Sequence, residues 1–265
     1  KLEELFKKDR TEYEKKWDDI SVFIEYGMIA DPKFFERAEK FMLLKDTEGK
    51  YYTLEEYKKH IEENQKNKDN RLVYLYATNA DEQYSNIENA KSKGYNVLLL
   101  DGILDAHFIS TLEQKYGDCQ FARVDSASID KLIEKEEESK ESKLNDEQKA
   151  DIRKAFEEII DKVTFNIEFS NLGEDDAPVE VIQNEFMRRM KEMSAMNGMS
   201  MWGGMPDSYT LMLNANNPVI AGLVDKNEEE QKNTIHQLYD LARLSKNLLK
   251  GKDLNEFVKR SFNEI

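Results

Sequence analysis

Three apolar segments separated by helix-length stretches constrain this chain more than any other feature. Residues Arg71 to Ala77 (RLVYLYA) are rich in the β-branched and aromatic types that favour a strand. A helical stretch from about Asp81 to Lys93 follows and stops at Gly94. Tyr95 to Leu100 is a continuous apolar run, the pattern of a strand covered on both faces. Ile103 to Tyr116 reads as helix and Cys119 to Val124 as a third strand. Strands joined by helices cannot return as hairpins. They need right-handed crossovers, which predicts a small three-stranded parallel sheet.

The flanking segments predict different architecture. Residues 1–67 read as helical, with Tyr13 and Trp17 continuing an apolar stripe that begins at Leu2, Leu5 and Phe6. Asp31 before Pro32 has the form of an N-cap, and Thr53 with Glu56 has capping-box spacing. Residues 131–150 hold twelve charged side chains in twenty positions, the pattern of a solvated connection. Beyond it, Asn145 and Gln148 have capping-box spacing at the start of a helix. Val163, Phe165, Ile167 and Phe169 alternate with polar residues, as a half-buried strand does. Val179 with Val181, and Tyr209 with Leu211 and Leu213, supply two more strands, expected to pair antiparallel. Helices near residues 228–250 and from the cap Asp253, after a break at Gly251, close the chain. The fold class is therefore mixed α/β and α+β. Residues 1–130 form one domain (1–67 helical, 68–130 the small α/β unit), 131–145 a linker, and 146–265 an α+β domain with a short antiparallel sheet.

Charge and cysteine content exclude several functions. The net charge is −15, with 20 basic and 27 acidic groups in residues 1–130 and 19 and 27 in the remainder. An evenly acidic chain repels phosphate, so nucleic acid is not an expected partner. The single cysteine, Cys119, forms no intramolecular disulfide and suits a reducing, cytoplasmic setting. No apolar run approaches the roughly 18 residues of a membrane span. The chain opens on Lys1 in an amphipathic pattern, without a signal peptide, as expected of a piece of a longer protein.

Catalytic motifs are sparse. The turn after the first parallel-sheet strand reads Ala77 to Asp81 (ATNAD), without the glycines that let backbone amides approach phosphate. His60, His107 and His236 are not at metal-ligand spacing, so no metal is expected. Asp101 follows an apolar strand where α/β enzymes place carboxylates, with His107 six positions on. The pair offers one reading, a small α/β enzyme or regulatory module with an interaction domain attached. Cys119 suits a buried small hydrophobe better than a nucleophile.

The sharpest local signal is methionine. Met187, Met190, Met193, Met196, Met199, Met201 and Met205 are seven of the ten in the chain, with Phe186 before them and Trp202 among them. Spacing by three on a helix of about 3.6 residues per turn gives a broad apolar band. Arg188, Arg189, Lys191 and Glu192 supply its polar flank. Flexible, polarizable methionine suits surfaces that take unlike partners, and it equally suits a core helix. The glycine-rich stretch that follows and the position of the band, in a long excursion between strands, favour exposure.

The order of elements resembles the 90-kDa heat-shock chaperone family, in its bacterial type, over essentially the whole chain. Trp17 to Gly27, Phe41 to Leu44, Tyr51 to Tyr57, Leu72 to Tyr76, Gly94 to Gly102 and Phe121 to Asp125 are similar to the later part of that family's middle domain. Asn214 to Ile220 is similar to the segment after the last strand of its C-terminal dimerization domain. The resemblance implies an ATP-dependent chaperone of protein folding whose ATP, magnesium and catalytic residues belong to segments before Lys1, so this chain would hold no cofactor and no catalytic residue. It implies homodimerization, co-chaperones and unfolded or partly folded client proteins as partners. Clients would meet Phe186, Met187, Met190, Met193, Met196 and Trp202, together with His107 and Ser110 on the second helix of the α/β unit. An aromatic would suit the family pattern better than His107. The C-terminal helices would form the dimer through Ile235, Leu238, Leu241, Ala242, Leu248 and Leu249, then Leu254, Phe257, Val258 and Phe262.

Overall fold

The computed structural model describes residues 1–127, 132–133, 141–196 and 207–263. The chain divides into two compact units. One comprises the described residues of Lys1–Glu136 with those of Glu185–Gly204, the other those of Glu137–Asn184 and Met205–Ile265. Each is mixed α and β around small sheets.

The first unit opens with helices α1 (Leu2–Lys8), α2 (Arg10–Lys15), α3 (Trp17–Ala30) and α4 (Pro32–Ala38). Asp31 caps α4 by accepting from the Lys33 amide, with proline at the first helical position. The α3–α4 approach needs Gly27, because a Cβ there would lie 2.7 Å from the Phe34 ring. A hairpin then interrupts the stretch expected to be helical throughout. Strands β1 (Leu43–Lys45) and β2 (Tyr51–Thr53) pair antiparallel, with Gly49 at φ 79 between them. Their three-residue length explains the miss, since a period of two leaves almost no signal over three positions. Helix α5 (Leu54–Ile61) begins at the capping box of Thr53 and Glu56.

The parallel sheet is as the sequence predicts. Strand β3 (Leu72–Ala77) lies between β4 (Leu98–Leu99) and β5 (Cys119–Arg123) and is parallel to both. All six residues of β3 are buried. Leu72, Tyr74 and Tyr76 enter a core with Trp17, Ile24 and Phe108, while Val73, Leu75 and Ala77 pack with Ile87 and Ala90 of helix α6 (Tyr84–Ser92). Two helix layers thus explain the unbroken apolar run. Helix α7 (Asp105–Tyr116) covers the first of those faces and ends at Gly117, in the left-handed region at φ 65.

The second unit starts with α8 (Asp146–Glu157), held by the predicted capping box of Asn145 and Gln148. Its sheet has the order β6 (Phe165–Ser170), β8 (Tyr209–Asn214), β7 (Val179–Gln183). Strand β8 is antiparallel to β7 and parallel to β6, so the expected antiparallel sheet is mixed. Alternation identifies a strand and its buried face, whereas its partner depends on where the long excursion returns the chain. Phe165 and Ile167 are buried between exposed Asn166 and Glu168. After β8 comes the short helix α10 (Pro218–Ala221), and helix α11 (Glu228–Leu244) covers the apolar face with Ile235, Leu238 and Ala242. Helix α12 (Gly251–Asn263) starts two residues before Asp253, which therefore sits in its first turn and is not its cap.

Candidate functional site

Helix α9 (Glu185–Met196) follows β7 in sequence but groups with the first unit. Its inward side is ionic. The Arg188 side chain is 5% exposed and donates to the Tyr76 hydroxyl and, at 2.8 Å, to Glu185. The Tyr76 hydroxyl in turn donates to Glu185. Arg189 donates to Glu185 at 2.7 Å, to Glu113 of α7 at 2.7 Å and to the Phe121 carbonyl of β5 at 2.6 Å. The Phe121 amide donates to the same Glu113 carboxylate. Burial works against the charge of Glu185, yet Arg188, Tyr76 and Arg189 together hold its carboxyl below the ordinary value. Arg188 and Arg189, expected as part of the polar flank, are thus the anchor of the helix. Losing one partner of such a buried set costs about 3–5 kcal/mol.

The apolar residues of α9 point elsewhere. Phe186 is 68% exposed and Met187 is 41% exposed, while Met190 is half-buried. Met193 and Met196 belong to the same helix, but their side chains lie outside the described residues, as do Met199, Met201, Trp202 and Met205. On α7, His107 and Ser110 are half-buried, and the Ser110 hydroxyl donates to the Ala106 carbonyl at 2.9 Å.

A cavity of about 390 Å³ opens beyond the carboxyl ends of β3 and β4, lined in part by Tyr76, Asp101, Ile103, Asp105, Ile109 and Arg188. Asp105 is 6% exposed and accepts from the Gly102 amide at 2.7 Å. Glu25 of α3, in the apolar stretch Ile20 to Met28, is 8% exposed. Burial, then Asp105 and Asp101, push the Glu25 carboxyl up to about 8. Burial, with Asp101 adding to it, pushes Asp105 up to about 6. Neither buried carboxylate was marked in the sequence, although a glutamate inside an apolar helical stretch is the signal that could have found the first.

Among the described residues, nothing assembles a nucleophile, a base and an orienting group. Asp101 is exposed and makes no hydrogen bond to His107 among the described residues. The alternative reading of an enzyme built on Asp101 and His107 is therefore not supported. Burial, then Glu113 and Asp118, raise the Cys119 thiol to about 11, which keeps it protonated and unreactive. Among the described residues, no group of His, Cys, Asp and Glu side chains is arranged to hold a metal ion, and no helix is long and apolar enough to cross a membrane.

The residues expected at a dimer interface fall into two sets. Ile235, Leu238, Ala242, Leu249 and Phe257 are buried within the second unit, and Leu248 and Leu254 are half-buried. Leu241 is 47%, Val258 40% and Phe262 71% exposed, joined by Leu244, which the sequence reading omitted. The two C-terminal helices are tied by Asp240, which accepts from Arg243 and Arg260 at 2.5 and 2.6 Å.

Comparison with known proteins supplies the wider frame. The family model described as Hsp90 protein matches residues 1–265. Chaperone protein HtpG of Bacteroides thetaiotaomicron is 40% identical over 334 residues, covering all of this chain and 49% of the relative. Chaperone protein HtpG of Porphyromonas gingivalis is 45% identical over 242 residues, 90% of this chain and 35% of the relative. That of Helicobacter pylori is 31% identical over 264 residues, 96% of this chain and 40% of the relative. The chain thus spans about half the length, or less, of the curated relatives it matches. With the whole chain matched by the family model and identities of 40% and 45% to the Bacteroides and Porphyromonas proteins, this protein is a member of the Hsp90 family, among relatives named as HtpG chaperone proteins.

Proposed function

We propose that this chain is the client-facing and dimer-forming part of an ATP-dependent chaperone, and that it does not itself hydrolyse ATP. The observation that carries the reading is the inverted polarity of α9. Phe186 is exposed while Arg188, two positions on and so on the opposite side of the same helix, is buried, and Met187 between them is partly exposed. A helix held by its charges does not need Phe186, which stands 68% exposed, for its own packing, and that residue is placed to meet a partner. Flexible methionine beside an aromatic suits segments of unlike shape, as an unfolded client presents. The names of the relatives, chaperone proteins, point the same way. The missing phosphate-cradling glycines support the lack of nucleotide turnover in this chain, leaving ATP and magnesium to the rest of the longer protein.

The dimer would form through the stripe of Leu241, Leu244, Val258 and Phe262, whose spacing puts each helix's pair on one face. The residues buried inside the second unit would support that face from behind. A cytoplasmic location suits the one free thiol, Cys119.

Because Cys119 is buried, a cysteine at Phe186 can be labelled selectively with an environment-sensitive fluorophore. Adding a thermally unfolded protein should shift the emission of the Phe186→Cys conjugate to the blue. No shift there, with a shift from a probe at exposed Val163, would refute the assignment.

A further inference from the structure

We infer that the first unit carries a binding site for a small, flat aromatic carboxylate, in a cavity of about 500 Å³ between helices α5 and α7 and strands β3 and β5. The volume falls within the roughly 300–1,000 Å³ of small-molecule sites. None of the lining residues belongs to α9, so the site is separate from the proposed client surface.

The interior is aromatic. Parallel register sets Tyr74 beside Phe121, and alternation puts Cys119 on the same face of the sheet. The rings of Tyr74 and Phe121 stand 4.7 Å apart at 30°, and Tyr57 of α5 extends the row at 5.3 Å from Tyr74. Leu112 and Tyr116 of α7, about one turn apart, and Leu54 at the start of α5 complete the apolar wall. Tyr74 and Phe121 are buried, while Tyr116 is 39% exposed. A flat ring entering here joins an existing row through the offset or edge contacts that aromatic pairs prefer.

The mouth is charged, and most of its charges are engaged. Lys58 donates to Asp118 at 2.7 Å, Lys59 donates to Glu55 at 2.7 Å, and the Tyr116 hydroxyl donates to Glu39 at 3.1 Å. Lys40 also lines the cavity, is exposed, and makes no hydrogen bond or ion pair among the described residues. The nearby carboxylate that feels its charge, Glu3, is itself held by Lys7 at 2.6 Å. A cationic ligand would meet only carboxylates that already have partners. A phosphorylated one would bring several negative charges past Glu39, Glu55 and Asp118. Among the described residues no group is arranged for a metal ion. A single carboxylate on an aromatic body meets both features, with its ring in the row and its charge at Lys40.

The test titrates the whole chain, with methyl-labelled leucines, with 2-naphthoate and with its neutral and cationic counterparts, 2-naphthylmethanol and 2-naphthylmethylamine. Naphthoate should shift the methyl resonances of Leu54 and Leu112 and leave those of Leu213, in the other unit, in place. It should bind about threefold more tightly than the alcohol, the size of one exposed ion pair, and the amine should bind less tightly than either. Lys40→Gln, at an exposed position, should bring naphthoate to the affinity of the alcohol and leave the alcohol unchanged. Leu54→Trp should fill the cavity and abolish binding of all three. If that variant does not fold by circular dichroism, nuclear Overhauser contacts between naphthoate and the Leu112 methyls of the unaltered chain take its place, and their absence would overturn the site. Equal affinities for naphthoate and the alcohol, or a loss on Lys40→Gln shared by both, would overturn the assignment of an anionic ligand. Silent Leu54 and Leu112 resonances would overturn the site and leave the Phe186 surface standing. Displacement of naphthoate by an unfolded protein would also overturn it, since the cavity would then take client side chains.

Discussion

Helices α9 and α12 both expose large apolar residues, but what holds each in place differs. In α9 the buried side is charged, with Arg188 at 5% exposure against Tyr76 and Glu185, while Phe186 stands at 68%. In α12 the apolar stripe runs without interruption from the core to solvent. Phe257 is buried at 8%, Leu254 half-buried, Val258 at 40% and Phe262 at 71%. The first helix separates anchoring from contact, so its apolar face can change or move against partners without unfolding the support. The second is a half-covered amphipathic face, as a helix shared with a second copy would be. Burial of charge opposes stability unless every partner is present, so the two anchors should fail differently.

Removing the charged anchor should have the largest effect. Arg188→Ala leaves Glu185 buried with only Arg189 and Tyr76 and should cost about 3–5 kcal/mol, read by urea unfolding of the first unit. Replacing Arg188 and Glu185 together with Met and Leu should cost far less, because no orphaned charge remains. If the double change is as damaging as the single one, the contrast between the helices loses its basis. In α12, Phe257→Ala should cost about 2–4 kcal/mol through lost burial and a cavity, a smooth loss with no partner to rescue it.

A pH arm sharpens the comparison within the first unit. The folded pKa of Glu25 is raised to about 8 from an ordinary 4.5, so the folded state binds the extra proton between those values. Stability therefore falls as pH rises through that window, and below it the group contributes no penalty. Glu25→Gln should raise stability by about 4 kcal/mol at pH 8 and by almost nothing at pH 4.5. A gain independent of pH would show that Glu25 is not the titrating group. The smallest effect on folding belongs to Phe262→Ser, at an exposed position, where the change should stay within about 0.5 kcal/mol. The same substitution should weaken self-association in sedimentation equilibrium, whereas Phe186→Ser should leave it untouched.

Much of this architecture was legible from local rules. The capping boxes at Thr53 and Asn145, the proline start of α4 and the doubly covered β3 follow from steric and hydrogen-bonding preferences of adjacent residues. The mixed pairing of β6, β8 and β7 was not, because alternation marks faces and leaves partners open. The site was half legible. The methionine band announced an apolar face between Phe186 and Met196, and periodicity placed those residues relative to one another. It could not show which side faces the protein. Arginine next to a methionine band reads as a solvated flank until Tyr76, Glu113 and the Phe121 carbonyl, far away in sequence, are seen to meet it.

The most direct test of the central claim, that α9 presents an apolar surface held by a buried ionic anchor, is the paired measurement of melting temperature and client affinity for Phe186→Ser with Met187→Ser. Both positions are exposed, so polar substitution should leave the melting temperature within a degree or two, about the scatter of a surface change. Affinity for an unfolded protein should fall about tenfold or more, since two apolar contacts of roughly 1 kcal/mol or more each are lost. A melting temperature lowered by many degrees, with the affinity of the folded fraction preserved, would contradict the account and return Phe186 and Met187 to the core.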